Sequence, residues 1–167
     1  MKNKLKITDK LLKVIPGGAH TYSRGYDQFP SNVPEILIRG KGAYVFDNQA
    51  RRYLDYGMGL RSVNIGYSEP QINRAAIKQM LNGSNLTRPS SIELKAASKL
   101  VETIKSAEMV KFTKNGSTAV TAAIKLSRAY TKRDHIIFCG YHGWHDWYIG
   151  NTKMSIGVPE KIKKLTT

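Results

Sequence analysis

The stretch "FTKNGSTAVTAAIKLSRAYTKRDHIIFCGYHGWHD", Phe112 to Asp146, decides the fold. Its first residues end an apolar run, Met109–Thr113, with the length and composition of a short buried strand. Lys114-Asn115-Gly116-Ser117 breaks that run. Thr118–Thr131 then spaces Val120, Ala123, Ile124, Ser127 and Tyr130 along one side of a helix. Lys132-Arg133-Asp134 turns the chain, and Ile136–Cys139 is a second short apolar strand. Strand, helix, strand is a βαβ unit, which implies parallel strands of an α/β sheet.

In such a unit both strands end at one edge of the sheet, and ligands bind beyond their carboxyl ends. The loop Lys114–Ser117 and the loop that begins Gly140-Tyr141-His142 are therefore expected to face one region. The first has the chemistry of an anion site. A helix N-terminus offers unpaired N–H groups and the positive end of its dipole. Gly116 lets the backbone approach a ligand closely, and Asn115 and Ser117 add polar side chains. The second loop supplies flat surfaces, Tyr141 and His142, between glycines. A phosphorylated aromatic ligand could span the two. The plainer readings are a helix N-cap at Asn115 or Ser117 and aromatic packing of Tyr141, Trp144 and Trp147. A third reading is zinc: Cys139, His142, His145 and Asp146 have C-x2-H-x2-H-D spacing. No second Cys/His cluster supports it, since His20 and His135 stand alone.

Upstream, turn signals at Pro16-Gly17-Gly18, Gly25, Pro30 and Pro34 precede a β-meander with strands expected at 35–38, 43–46 and 52–56. Gly40-Lys41-Gly42 and Asp47-Asn48 are the expected turns. Ser68-Glu69-Pro70-Gln71 and Ser90-Ser91-Ile92-Glu93 have capping-box spacing and open two helices. The meander segment and the α/β segment are expected to divide near residue 66, giving domains 1–66 and 67–167.

The chain has 167 residues, 41% of them hydrophobic, enough for a core. No apolar run approaches the ~18 residues of a membrane span, and the basic N-terminal segment MKNKLKITDKLLKVIPGG lacks a signal-peptide core. A soluble cytoplasmic protein is expected, with no membrane partner. The single cysteine, Cys139, excludes an internal disulfide framework. The net charge of +15 admits a polyanion-binding role. The basic residues are scattered, however, and cluster only at Lys161, Lys163 and Lys164, so a nucleic-acid partner is not expected.

With these residues in view, Phe112–Asp146 resembles the cofactor-binding core of the class III aminotransferases, pyridoxal-phosphate (PLP) enzymes of fold type I, and their glutamate-1-semialdehyde 2,1-aminomutase branch in particular. "VIPGGAHTYSRG" resembles that branch's N-terminal substrate segment. "GKGAYVFDNQARRYLDY" resembles its meander. "GYSEPQINRAAIKQ" resembles the start of a family helix, with Tyr67 where the family carries histidine. The resemblance implies an incomplete α/β fold: the meander plus the first part of the large PLP-binding domain. In the family's sheet the two strands of this βαβ unit are separated by strands that come later in the chain.

The resemblance also assigns roles. Asn115, Gly116 and Ser117 fall on the phosphate loop, with Thr118 in place of a glutamate. Tyr141 falls on the aromatic residue that stacks on the PLP ring, with His142 its neighbour at the cofactor. Arg24 falls where the aminomutase holds a substrate carboxylate, a task that suits a bidentate guanidinium. Leu60 stands where the aminomutase has an active-site tryptophan. The Schiff-base lysine is expected beyond residue 167, so no catalytic residue is expected within the chain, and the 167 residues alone are expected to be inactive. The implied protein is a homodimeric amino-group-transferring enzyme acting on a small amino or keto substrate that bears a carboxylate. A transaminase acting on a sugar or another keto compound is the alternative, and no metal is expected.

Overall fold

In the computed structural model, which describes residues 6–167, the chain divides into two compact units, Met1–Leu86 and Thr87–Thr167. The first five residues of the basic N-terminal segment lie outside the described residues.

The first unit opens with helix α1, Ile7–Val14, which is followed by short 3-10 turns at Pro16–Gly18, Tyr22–Arg24 and Tyr26–Gln28. The backbone N–H and hydroxyl of Thr8 both donate to the Glu35 carboxylate, at 2.7 and 2.6 Å, and tie α1 to the entry of the meander. The meander is an antiparallel sheet of β1 (Leu37–Lys41), β2 (Tyr44–Asp47) and β3 (Arg52–Leu54) in that order. Gly40 and Lys41, expected as a turn, instead extend β1 and pair with Val45 and Tyr44. The turn is shorter, Gly42-Ala43, and Gly42 takes the left-handed conformation it needs (φ 56°). The third strand ends at Leu54, two residues early.

Asp47 closes the β2–β3 turn and is fully buried. Its carboxylate accepts from the N–H groups of Gln49 and Arg51 (both 2.9 Å), from Arg51 Nε (2.7 Å) and from the Tyr53 hydroxyl (3.0 Å). Burial pushes the carboxyl pKa up, but these donors outweigh it, Arg51 first, and hold it at about 2. A buried carboxylate is tolerated only with such complete pairing.

After β3 come α2 (Met58–Arg61) and α3 (Pro70–Leu81). The segment α2 is a left-handed turn: Met58, Gly59, Leu60 and Arg61 have φ of 46°, 57°, 60° and 68°. Three of the four are not glycine, and each costs about 1–2 kcal/mol in that conformation. The capping box expected at Ser68 does not form. Ser68 is itself left-handed (φ 55°) and donates its hydroxyl to the Gly40 carbonyl at 2.9 Å. Glu69 caps α3 instead, accepting from the Gln71 N–H at 3.0 Å.

The second unit holds α4 (Ser91–Thr103), α5 (Gly116–Thr131), α6 (Asp146–Ile149) and α7 (Glu160–Lys163). The capping box at Ser90–Glu93 forms as the sequence implies, with the Ser90 N–H donating to the Glu93 carboxylate at 2.6 Å. Helix α5 begins two residues before the expected Thr118, because Asn115 is its N-cap and accepts from the Thr118 N–H at 3.0 Å.

The two expected parallel strands are corrected here. Met109–Thr113 runs without regular secondary structure, and Ile136–Cys139 makes only a short parallel contact with the chain end: Ile136 bridges Thr166, bonding Leu165 and Thr167, and the Phe138 N–H donates to the Thr167 carbonyl at 2.9 Å. The physical reason is that a strand is defined by a neighbour about 4.8 Å away, and an apolar run without one forms no ladder. Both runs leave large side chains in solvent, with Met109 91% and Ile137 84% exposed. The chain exposes 14,557 Å². A folded monomer of 18.7 kDa exposes about 8,300 Å². The apolar faces thus exceed what these residues bury among themselves.

Candidate active site

Three elements of the second unit build the site. Helix α5 presents its N-terminus, with Asn115 as cap and Gly116 and Ser117 as its first residues. Among the described residues no hydrogen bond reaches the N–H of Gly116 or Ser117. An alanine methyl at Gly116 would meet no atom within 4 Å, so the helix end is open on that side. Unpaired N–H groups, the positive end of a 16-residue helix and a free approach together suit an anion.

The loop Gly140–Gly143 comes against this helix end. Gly143 is buried, with φ 102°, and a methyl placed on it would fall 2.2 Å from Ser117 Oγ, 2.8 Å from its Cβ and 3.0 Å from its Cα. No other residue fits that close approach in that backbone conformation. The two loops that sequence reasoning brought to one region therefore touch, through Gly143 and Ser117.

Tyr141, the candidate stacking residue, is 79% exposed and rests edge-on against Tyr148 at 5.7 Å. Its face is available to a flat ligand. His142 is held more firmly. Its Nε2–H donates to the Cys139 carbonyl at 2.7 Å, and its ring packs edge-on against Phe138 and Tyr148. Trp147 and Tyr148, both buried, complete this aromatic cluster. Since Nε2 carries the proton, Nδ1 of the neutral ring is left as an acceptor.

Thr121 was missed by sequence reasoning and joins the helix to the loop. The Trp147 indole N–H donates to its hydroxyl at 2.9 Å, and the hydroxyl lies 2.8 Å from His145 Nδ1. An indole only donates, so the Thr121 hydroxyl accepts from Trp147, and toward His145 it donates or accepts according to the imidazole tautomer. The spacing carried a signal for this: Thr121 lies four residues after Ser117, on the same face of α5.

The zinc reading meets a different arrangement. His142 turns to the Cys139 carbonyl, His145 to Thr121, and Cys139 is exposed. Among the described residues no three His, Cys, Asp or Glu side chains converge on one point. Nor is any helix of the described residues long and apolar enough to cross a membrane.

The donor set fits PLP. The open helix end at Gly116 and Ser117 offers donors that suit a phosphate, and the exposed face of Tyr141 offers a surface that suits a flat ring. Arg24 belongs to the first unit, where it is exposed at the end of a 3-10 turn. Its charge is the smallest of the influences on the Tyr67 hydroxyl and works to lower that group's pKa. Tyr67 in turn donates to the Asp55 carboxylate, and that contact is the main cause of a lowered Asp55 and a raised Tyr67 pKa.

Known proteins resemble the chain over nearly its whole length. The chain is 33% identical over 169 residues to a 3-aminobutyryl-CoA aminotransferase of Cloacimonas acidaminovorans, covering 97% of this chain and 40% of that protein. It is 35% identical to a glutamate-1-semialdehyde 2,1-aminomutase of Thermoplasma volcanium over 88% of this chain and 35% of that one. Among solved structures, the PLP internal aldimine form of the FumI protein of Sphingopyxis sp. MTA144 superposes with a TM-score of 0.87 at 30% identity, over 96% of this chain and 38% of that one. An omega-transaminase from Sphaerobacter thermophilus gives 0.82 at 27%, over 96% of this chain and 40% of that one. The chain thus spans between 35% and 40% of the length of these relatives and has the fold of that part of the two solved structures. The family model for aminotransferase class-III matches residues 22–166, a span that takes in the meander, the α5 N-terminus and the Gly140–Gly143 loop. Fold and sequence agree, and the chain belongs to the class III aminotransferase family.

Proposed function

We propose that the whole protein is a PLP-dependent enzyme that transfers an amino group on a small, carboxylate-bearing substrate. The observation that carries the reading is the meeting of Gly143 with Ser117, which joins an open helix N-terminus to a loop bearing an exposed tyrosine face. In this reading the N–H groups of Gly116 and Ser117 and the Ser117 hydroxyl bind the phosphate. Asn115 keeps its capping bond and holds the helix end in place. Tyr141 covers one face of the pyridine ring. His142, fixed by Cys139 and the aromatic cluster, shields the ring from water. When bound, PLP supplies an aldehyde that condenses with amines and a ring that accepts electron density from the substrate's α-bond.

Arg24 binds the substrate carboxylate, a role that suits an exposed guanidinium with no acidic partner among the described ion pairs. Aminomutase and transaminase chemistry both fit this assignment. Leu60 and Thr118, where the aminomutase branch carries other residues, leave a transaminase acting on a sugar or another keto substrate as the second reading. The protein is cytoplasmic and homodimeric in this proposal.

The test is a PLP titration of the whole protein, followed by a panel of amino acids and amino sugars as amino donors. Saturable binding of one PLP per chain, and turnover of a carboxylate-bearing donor, support the proposal. A whole protein that binds no PLP overturns it, and turnover of amino sugars alone moves the assignment to the second reading.

A further inference from the structure

One hydroxyl on α5 holds the segment that follows Tyr141. Thr121 Oγ1 accepts from the Trp147 indole N–H at 2.9 Å and lies 2.8 Å from His145 Nδ1. The indole has a single donor, and Thr121 takes it. Trp147 is buried, so without Thr121 that N–H would lie in the interior without this partner.

The rings carry this fixation outward. Trp147 packs edge-on against Tyr148, its neighbour in the chain, with centroids 5.8 Å apart. Tyr148 is also buried and supports Tyr141 edge-on at 5.7 Å. Among the described residues Tyr148 is the one ring in contact with Tyr141, which is otherwise largely in solvent. Trp147 also lies 6.2 Å from the His142 ring. The orientation of Tyr141 therefore rests on Tyr148, that of Tyr148 on Trp147, and that of Trp147 on Thr121.

Thr121 stands about one helical turn after Ser117, on the same face of α5. The loop is thus fastened to one helix at two places. Gly143 closes on Ser117, and His145 and Trp147 close on Thr121. The first fastening lies at the donors that suit a phosphate. The second governs the ring that offers a stacking face. Covalent bonds fix the spacing of phosphate and ring in PLP, so both contacts form together only if the loop keeps its register on the helix.

We infer that Thr121 is a positioning residue of the cofactor site: its hydroxyl, acting through Trp147 and Tyr148, sets the face of Tyr141 relative to the helix end at Ser117. The inference rests on the reading of Ser117 and Tyr141 as PLP contacts. Shape alone does not supply the role. Valine has the outline of threonine but leaves the indole N–H without its acceptor, whereas serine keeps the hydroxyl.

The experiment uses the whole protein, equilibrium dialysis of PLP, and the visible circular dichroism of PLP at saturation, a band that arises from the asymmetry of its surroundings. A urea midpoint on every form separates stability from placement. Tyr141→Ala should weaken PLP about twofold to tenfold, the worth of a stacked pair. Thr121→Val acts through that contact and should weaken PLP by about twofold to fivefold, with a smaller band. Trp147→Phe removes the same donor from the other side, keeps an aromatic ring and should match it. Thr121→Ser should behave like the parent. In a Tyr141→Ala background, Thr121→Val should change affinity by less than about 1.5-fold, because effects that run through one contact do not add. Should Thr121→Val lose its cooperative urea transition, Thr121→Ser against Trp147→Phe carries the same comparison. Unchanged affinity in Tyr141→Ala refutes the reading of the site and this inference with it. If Tyr141→Ala weakens PLP while Thr121→Val leaves affinity and band unmoved, or weakens PLP equally in both backgrounds, the inference alone is overturned.

Discussion

Two glycines at the candidate site face opposite surroundings, and the same substitution at each should separate folding from cofactor binding. Gly143→Ala places a methyl 2.8 Å from Ser117 Cβ and 3.0 Å from its Cα, with φ at 102°. The Ser117 hydroxyl, 2.2 Å away, can rotate aside, but those two carbons cannot. Carbon atoms pack at about 3.5–4.0 Å, so the loop must withdraw by at least roughly 0.5–0.7 Å. Overpacking of this kind costs about 1–3 kcal/mol, and the left-handed backbone adds about 1–3 kcal/mol for a residue with a side chain. Gly143→Ala should therefore lower both stability and PLP affinity.

Gly116→Ala meets nothing within 4 Å, and its backbone is helical. Replacing a helical glycine by alanine stabilises by up to about 1 kcal/mol. The new methyl, however, stands on the open side of the helix end. A phosphate displaced from one N–H there loses a charged hydrogen bond of about 1.5–3 kcal/mol, roughly a tenfold to hundredfold loss of affinity. The assay pairs a urea midpoint with equilibrium dialysis of PLP, both on the whole protein. The expected pattern is a stable Gly116→Ala that binds PLP poorly and an unstable Gly143→Ala that also binds it poorly. A Gly116→Ala protein that binds PLP like the parent would refute the phosphate site at this helix end.

Tyr141→Ala should weaken PLP by about 0.5–1.5 kcal/mol, and Ser117→Ala by about 1.5–3 kcal/mol, while Tyr141→Phe stays near the parent; the same dialysis assay checks the order. Arg24→Ala should raise KM for a carboxylate-bearing donor roughly tenfold to hundredfold and leave PLP affinity unchanged, as steady-state kinetics on the acid and its carboxamide would show. The Asp47 carboxyl is held at about 2, below the ordinary 3.8, so its contribution to stability is complete above about pH 4 and is lost as pH falls through about 2. Amide exchange of residues 49–53 should accelerate over that acid range, and Asp47→Asn should accelerate it already at neutral pH and flatten the acid dependence.

Local chemistry was legible in the sequence because it acts over a few residues. The periodicity of Thr118–Thr131 announced α5, and the Ser90–Glu93 spacing announced its capping box. Gly116 and Tyr141 carried the candidate site through their residue types and their place after two apolar runs. Where prediction failed, a competing long-range contact won. Ser68 gave up its cap to bond the Gly40 carbonyl, 28 residues away, and so Glu69 took over α3. The apolar runs at 109–113 and 136–139 were read as strands, yet strand identity belongs to a pair and not to a segment. Their composition could not say which neighbours, if any, lie beside them.

Other features exist only in three dimensions. Nothing in the order of residues 112–146 states that Gly143 lies against Ser117; the fold brings the loop to the helix end, and the absent Cβ makes the approach possible. Thr121 becomes a hub only because Trp147 and His145 arrive on its side of α5. The left-handed turn at Met58–Arg61 runs against the preference of three of its four residues, so no propensity rule forecasts it. It stands because Asp55 and Tyr67, distant in sequence, meet across it and hold it against the sheet. Sequence determined the helices α3, α4 and α5 and which residue types stood at the α5 end; tertiary contact decided how those groups face one another.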